Sequence, residues 1–266
     1  MTRRHFMFDC DGSQLAATLD AGFRRSGLLW IGGGNEVRCG AFAGQAHLAA
    51  RLSEAGYPVL RFDRRGVGDS EGANLGFRNS GADIAAALTA FQREQPQLDR
   101  VAGFGNCDAA SALMLGRGCG CDAVVLANPW TFDDATEEIP PAAIRARYAA
   151  KLKDPREWLR LARGGVSLGK LARGLIRATA VRAAPSMLAQ EMAEGLDAFD
   201  GPAWVLLAGR DRTAQAFQSC WDAGDTRLRH CPEASHAFVE PAARQWLFDQ
   251  LVSALADKQA GELDVA

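Results

Sequence analysis

The chain has no apolar run near the roughly 18 residues that a membrane-spanning helix needs, and its opening, MTRRHFMFDC, has no apolar signal core behind its arginines. No integral membrane segment and a cytoplasmic location are the expectations. An excess of one charge is missing too. With 30 Lys and Arg against 32 Asp and Glu, net −2, a globally basic nucleic-acid binder is excluded, and 48% hydrophobic residues exclude a disordered chain. Cysteines at metal-ligand spacing are absent as well. The seven form an odd set, and only Cys119 and Cys121 lie close together, too close and too isolated for a zinc framework. Free thiols in a reducing compartment fit best. There is no internal repeat and no low-complexity tract. No dinucleotide fingerprint appears either, because IGGGNEVRCG places Val37 where G-x-G-x-x-G needs its third glycine.

What the chain does have is alternation. HFMFDCDGSQLAATLDA carries two strand-like runs around an Asp-Gly turn, a hairpin signal. Apolar strands and helical stretches then follow one another: GLLWIGG and GAFAGQAHLAARLSEAG, PVLRFDRRG and ADIAAALTAFQREQ, RVAGFGN and CDAASALMLGRG, then AVVLANP. Strands that are apolar throughout must be covered on both faces, so the pattern predicts a doubly wound, mostly parallel sheet of the α/β class. Between Pro129 and Pro185 the strand-like runs stop and helical ones take over. The alternation resumes with AWVLLAG, TAQAFQSCWDA, RLRHCPEASH and PAARQWLFDQLVSALADK. A chain of 266 residues commonly forms one α/β domain. The expected organisation is a core of residues 1–130 and 186–266 with a helical cap, 131–185, inserted after the sixth strand.

The junction RVAGFGNCDAA passes from strand to helix with no loop. A residue at such a turn stands above the carboxyl edge of the sheet, at the positive end of a helix dipole, where a nucleophile is well placed. The turn brings strand and helix together, so the positions two before and two after the reactive residue must be small, as in G-x-S-x-G. Centring on Cys107 gives Gly105 and Ala109. Centring on Asp108 gives Asn106 and Ala110, a worse fit, and Ser111 lies a turn inside the helix. Free cysteines are most often small buried hydrophobes, but the spacing here selects Cys107 as a nucleophile.

A thiolate needs a base and a residue that orients it. Of four histidines, His5 falls in the first strand, His47 in a helix and His230 inside the strand-like RLRHC. His236, in PEASHAF, sits in a small-residue loop between the last strand and the last helix, and is the candidate base. Asp211 follows the penultimate strand in AWVLLAGRDRT and is the candidate acid. Asp133 and Asp134 are the backup positions, whereas Asp222 and Asp225 read as solvated charges. A developing oxyanion needs backbone N–H groups. The amide of Asp108 supplies one; the turn after the third strand supplies the other, with Gly34 first and Asn35 second. GVGDS, residues 66–70, reads as a structural turn rather than a phosphate loop.

Taken together, these segments resemble the α/β-hydrolase superfamily along nearly the whole chain. More narrowly, they resemble the first of the two exosortase A system-associated hydrolase types, on Gly33, Gly34, Arg38 and Gly40, LRFDRRGVGDSEG, the elbow GNCDAAS, and Asn128-Pro129-Trp130. The chain departs from that pattern at Ala109, where glycine is expected, and at Asn35, where proline is frequent. The resemblance implies an α/β-hydrolase fold and a bacterial exopolysaccharide or protein-sorting setting, with no defined substrate.

The reading that follows is a Cys107–His236–Asp211 hydrolase of an ester or thioester, working through an acyl-enzyme on a small-molecule or carrier-bound acyl substrate, with no metal or cofactor. An acyltransferase on the same triad, or a non-catalytic binding module on a hydrolase scaffold, are the alternatives. Residues 145–182 hold eleven Lys and Arg against two acids, Asp154 and Glu157. This basic cap reads as a solvated helical face, or as a surface for an anionic partner.

Overall fold

A computed structural model describes residues 2–132 and 186–256. The described residues form one eight-stranded sheet in the order β1-β2-β4-β3-β5-β6-β7-β8. The strands are β1 Arg3–Cys10, β2 Ser13–Asp20, β3 Ser26–Ile31, β4 Val59–Phe62, β5 Arg100–Asn106, β6 Ala123–Ala127, β7 Ala203–Ala208 and β8 Leu228–Cys231. β1 and β2 make the expected hairpin, β2 pairs antiparallel with β4, and all other pairings are parallel. The helices are α1 Gly44–Glu54, α2 Gly81–Glu94, α3 Asp108–Leu115, α4 Met187–Asp197, α5 Arg212–Cys220 and α6 Pro241–Ala256. The expected cap and its basic stretch lie, apart from Thr131 and Phe132, outside the described residues, as do Asp133 and Asp134. Among the described residues no helix is long and apolar enough to cross a membrane.

Alternate residues of the parallel strands enter two separate cores, which is why those strands are apolar throughout. Leu29, Ile31, Val124, Leu126, Val205 and Leu207 join α2, α3, α4 and α5 on one face. Leu28, Trp30, Phe104, Val125, Trp204 and Leu206 join α1 and α6 on the other. Each such side chain removes its apolar surface from water, worth about 1.5–3 kcal/mol for a fully buried Leu or Phe. The helix α4 is one that the strand–helix alternation does not include. Ser186 caps it, its side chain accepting from Ala189 N–H. It lies close on α3 at Gly195, where a Cβ would stand 2.2 Å from the Met114 carbonyl. The parallel strands point their carboxyl ends the same way, and the loops carrying the candidate residues gather at that edge.

Candidate active site

Cys107 occupies the turn between β5 and α3 with φ 63° and ψ −127°, a conformation that L residues rarely adopt. What holds it there is close packing of strand against helix. A Cβ on Gly105 would lie 2.6 Å from the Ala109 carbonyl carbon and 2.7 Å from Ala110 N, so no larger residue fits. The Cys107 backbone is tied on both sides, its N–H donating to Ala127 O at 2.9 Å and its carbonyl accepting from Trp130 N–H at 3.3 Å. Cys107 is half-buried, whereas Ser111 is fully buried and bonded to the Trp130 backbone.

Asp211 ends the β7 loop as the N-cap of α5. Its Oδ2 accepts the Ala214 N–H at 2.9 Å and meets His236 Nδ1 at 3.0 Å. One buried carboxylate thus caps a helix and sets the imidazole's tautomer, Nδ1 carrying a proton. The hydrogen bond to Asp211 and a second to the Cys107 side chain lift His236 from the ordinary 6.5 to about 10, against the opposing effect of burial. The ring is therefore protonated at neutral pH while it bonds Cys107. The loop is braced by Glu240, which accepts from Ser235 N–H and Oγ at 3.0 Å each; those bonds hold the Glu240 carboxyl below its usual range.

His5 bonds Thr18, His47 lies exposed on α1 and His230 exposed on β8. Asp225 is engaged by Arg227 and by Trp221, and Asp222 by the Gly224 amide. Asn35 is exposed, its Oδ1 accepting from Asn74 Nδ2 at 2.8 Å. The Asp108 amide opens α3, directly after Cys107. The Gly34 amide faces the same turn but is engaged: it donates to Asp108 Oδ1 at 2.6 Å.

Several contributors escape sequence reasoning. Asn128, fully buried at φ 45°, donates to Asn106 Oδ1 at 3.0 Å and His236 O at 3.0 Å, and accepts Ala208 N–H at 2.8 Å. Asn106 also donates to His236 O, at 3.1 Å. These two amides stitch together the loops carrying Cys107, Asp211 and His236. Asn128 was visible only as the first residue of NPW, and nothing in a lone sequence says where its amide reaches. GVGDS is a turn: Asp63 accepts the Arg38 amide at 2.6 Å, the Asp69 amide at 3.1 Å and an ion pair from Arg38, anchoring the loop after β3 to the end of β4. A cavity of about 160 Å³ lies beside the residues that flank Cys107 and His236, lined by Trp30, Gly33, Phe104, Asn106, Ala237 and Phe238 among others but by none of Cys107, His236 and Asp211. Among the described residues no group of three or more His, Cys, Asp or Glu side chains could hold a metal ion.

A family model described as "Alpha/beta hydrolase family" matches residues 22–250. No curated protein matches the chain. Among solved structures, the chain is similar to an alpha/beta hydrolase from Penicillium, at TM-score 0.64 and 16% identity over 96% of this chain and 100% of that one. It is similar to an esterase of Pyrococcus furiosus, at 0.58 and 14% over 96% and 90%. A thioesterase domain from the curacin biosynthetic pathway matches at 0.55 and 13% over 95% and 100%. At these identities the likeness is one of fold.

Proposed function

Because the chain belongs to the alpha/beta hydrolase family, we propose that it hydrolyses carboxylic esters or thioesters with Cys107 as nucleophile, His236 as acid and base, and Asp211 orienting the ring. The observation that carries this reading is the strained strand–helix turn of Cys107, together with an imidazole that Asp211 holds at His236 Nδ1, 3.0 Å away, and whose pKa the Cys107 side chain helps to raise. The thiolate of Cys107 attacks the acyl carbon, and the carbonyl oxygen gathers charge at the Asp108 amide and, once it is free, the Gly34 amide. Protonated His236 gives its proton to the departing alcohol or thiol. Acylation then removes the Cys107 charge and hydrogen bond, two of the causes that lift the His236 pKa. The ring becomes a better base at the step where it must take a proton from water. None of the seven cysteines is joined in a disulfide, which fits a cytoplasmic location, and the sequence resemblance favours an exosortase-associated setting.

The test is a stopped-flow comparison of 4-nitrophenyl acetate and a matched phenyl thioester. A burst of phenol or thiol equal to the enzyme concentration, lost in Cys107→Ala, is expected. Undiminished turnover by Cys107→Ala would refute the assignment.

A further inference from the structure

Arg64 follows β4 and is 5% exposed, yet its charge is poorly matched. Nη2 donates to the Gly34 carbonyl at 2.5 Å, and the carboxylate paired with it, Asp108 Oδ2, stands off at 3.5 Å rather than in the two-pronged geometry a guanidinium favours. Nη1 is buried with no acceptor among the described residues. A guanidinium removed from water needs its donors filled. The other end of the same carboxylate, Asp108 Oδ1, sits on the Gly34 amide and would lie 3.1 Å from a Cβ on Gly33, which would itself lie 3.4 Å from the Cys107 Cβ. So an acidic side chain of the chain itself occupies a donor that an oxyanion at Cys107 needs, and it is held there by an under-coordinated cation.

We propose that Arg64 is an anion subsite beside Cys107, that it takes a carboxylate carried on the substrate's acyl group, and that this carboxylate releases Asp108 from the Gly34 amide. The proposal rests on Cys107 being the nucleophile. The exchange follows from charge. If Asp108 swung away unaided, Arg64 would lose its paired carboxylate while still buried, which is unfavourable. A neutral acyl group cannot make good that loss. An acyl group ending in a carboxylate can, with Nη1 free to give it a second hydrogen bond, and Gly34 then points its N–H at the developing oxyanion. Substrate choice and completion of the oxyanion site become one event. The substrate class is half-esters or half-thioesters of dicarboxylic acids.

The experiment uses 4-nitrophenyl hydrogen glutarate and 4-nitrophenyl valerate, equal in chain length and different in terminal charge, with free glutarate binding measured by calorimetry on the Cys107→Ala chain. Wild type is expected to favour the glutarate ester by roughly tenfold or more in kcat/KM, the size of a charge-assisted pair. Arg64→Met should erase the preference, Arg64→Lys should restore part of it, and Asp108→Ala should raise kcat on the valerate ester while narrowing the gap. Glutarate should bind Cys107→Ala and lose about tenfold in affinity when Arg64→Met is added. Equal kcat/KM for the two esters in wild type, or glutarate affinity indifferent to Arg64→Met, overturns the proposal. Full turnover by Cys107→Ala would instead overturn the nucleophile assignment, and glutarate binding, which needs no chemistry, still decides the fate of the subsite.

Discussion

At the scale of single residues, the molecule separates one thiol from six others. Burial pushes Cys10 and Cys119 up to about 11 and raises Cys121 and Cys231 as well. Cys107 alone bonds the raised imidazole of His236 and stands at a helix N-terminus. Iodoacetamide with peptide mapping is expected to label Cys107 first near neutral pH; prior labelling of Cys39 or Cys220 would point to another nucleophile. His236→Ala should lower turnover about 10²–10⁴-fold, the usual weight of a general acid–base, Asp211→Asn should leave a measurable residue, and His230→Ala should do neither. A folded-state pKa of about 10 against an ordinary 6.5 also fixes a sign. The stabilisation that His236 gains from its partners is complete below pH 6.5, declines as pH rises and is gone above about 10. Thermal midpoints of wild type and His236→Ala should therefore converge between neutral pH and pH 10.5 or so. A gap that widens with pH contradicts the charge pair.

At the scale of elements, the strand–helix junction was legible in the sequence and the network behind it was not. Gly105 and Ala109 announce the elbow because steric contact acts on residues near in sequence. Likewise, the runs GLLWIGG and AVVLANP announce strands buried on both faces. Asn128 and Arg64 act across the fold, on His236 and on Gly34, through contacts that no local spacing encodes. The engaged state of the Gly34 amide has the same origin: glycines signal a turn, and only the folded positions of Asp108 and Gly34 show that the turn's donor is taken. Asn128→Ala removes three side-chain hydrogen bonds and strands the buried Ala208 amide, which should cost about 1–3 kcal/mol. Because it unties the loops of Cys107 and His236, it should also lower kcat more than it raises KM. Chemical denaturation beside steady-state kinetics checks both, and an Asn128→Ala chain with wild-type stability and rate contradicts the stitching role.

At the scale of the whole molecule, the antiparallel side of the sheet is fastened by buried charge. Asp20, fully buried, accepts from Arg61, itself 2% exposed, and from Arg3. Arg61 in turn donates to the Arg38 carbonyl at 2.5 Å, linking β4 to the loop that carries Gly34. Asp20→Asn leaves Arg61 buried without a counter-charge, a loss on the order of 3–5 kcal/mol. In a chain of this size that is a fall of roughly 10 °C in Tm, readable by calorimetry; a drop within a degree or so would show that water reaches Arg61. Since the scaffold and the site share this loop, the same variant should lose activity at temperatures where it remains folded.

The most direct measurement of the central claim is the mass of the chain quenched during turnover of 4-nitrophenyl acetate, followed by peptide mapping. A single added acetyl group is expected on Cys107, accumulating in His236→Ala if acylation is driven by excess ester, and absent from Cys107→Ala. An adduct on any other residue, or steady hydrolysis by Cys107→Ala, would contradict it.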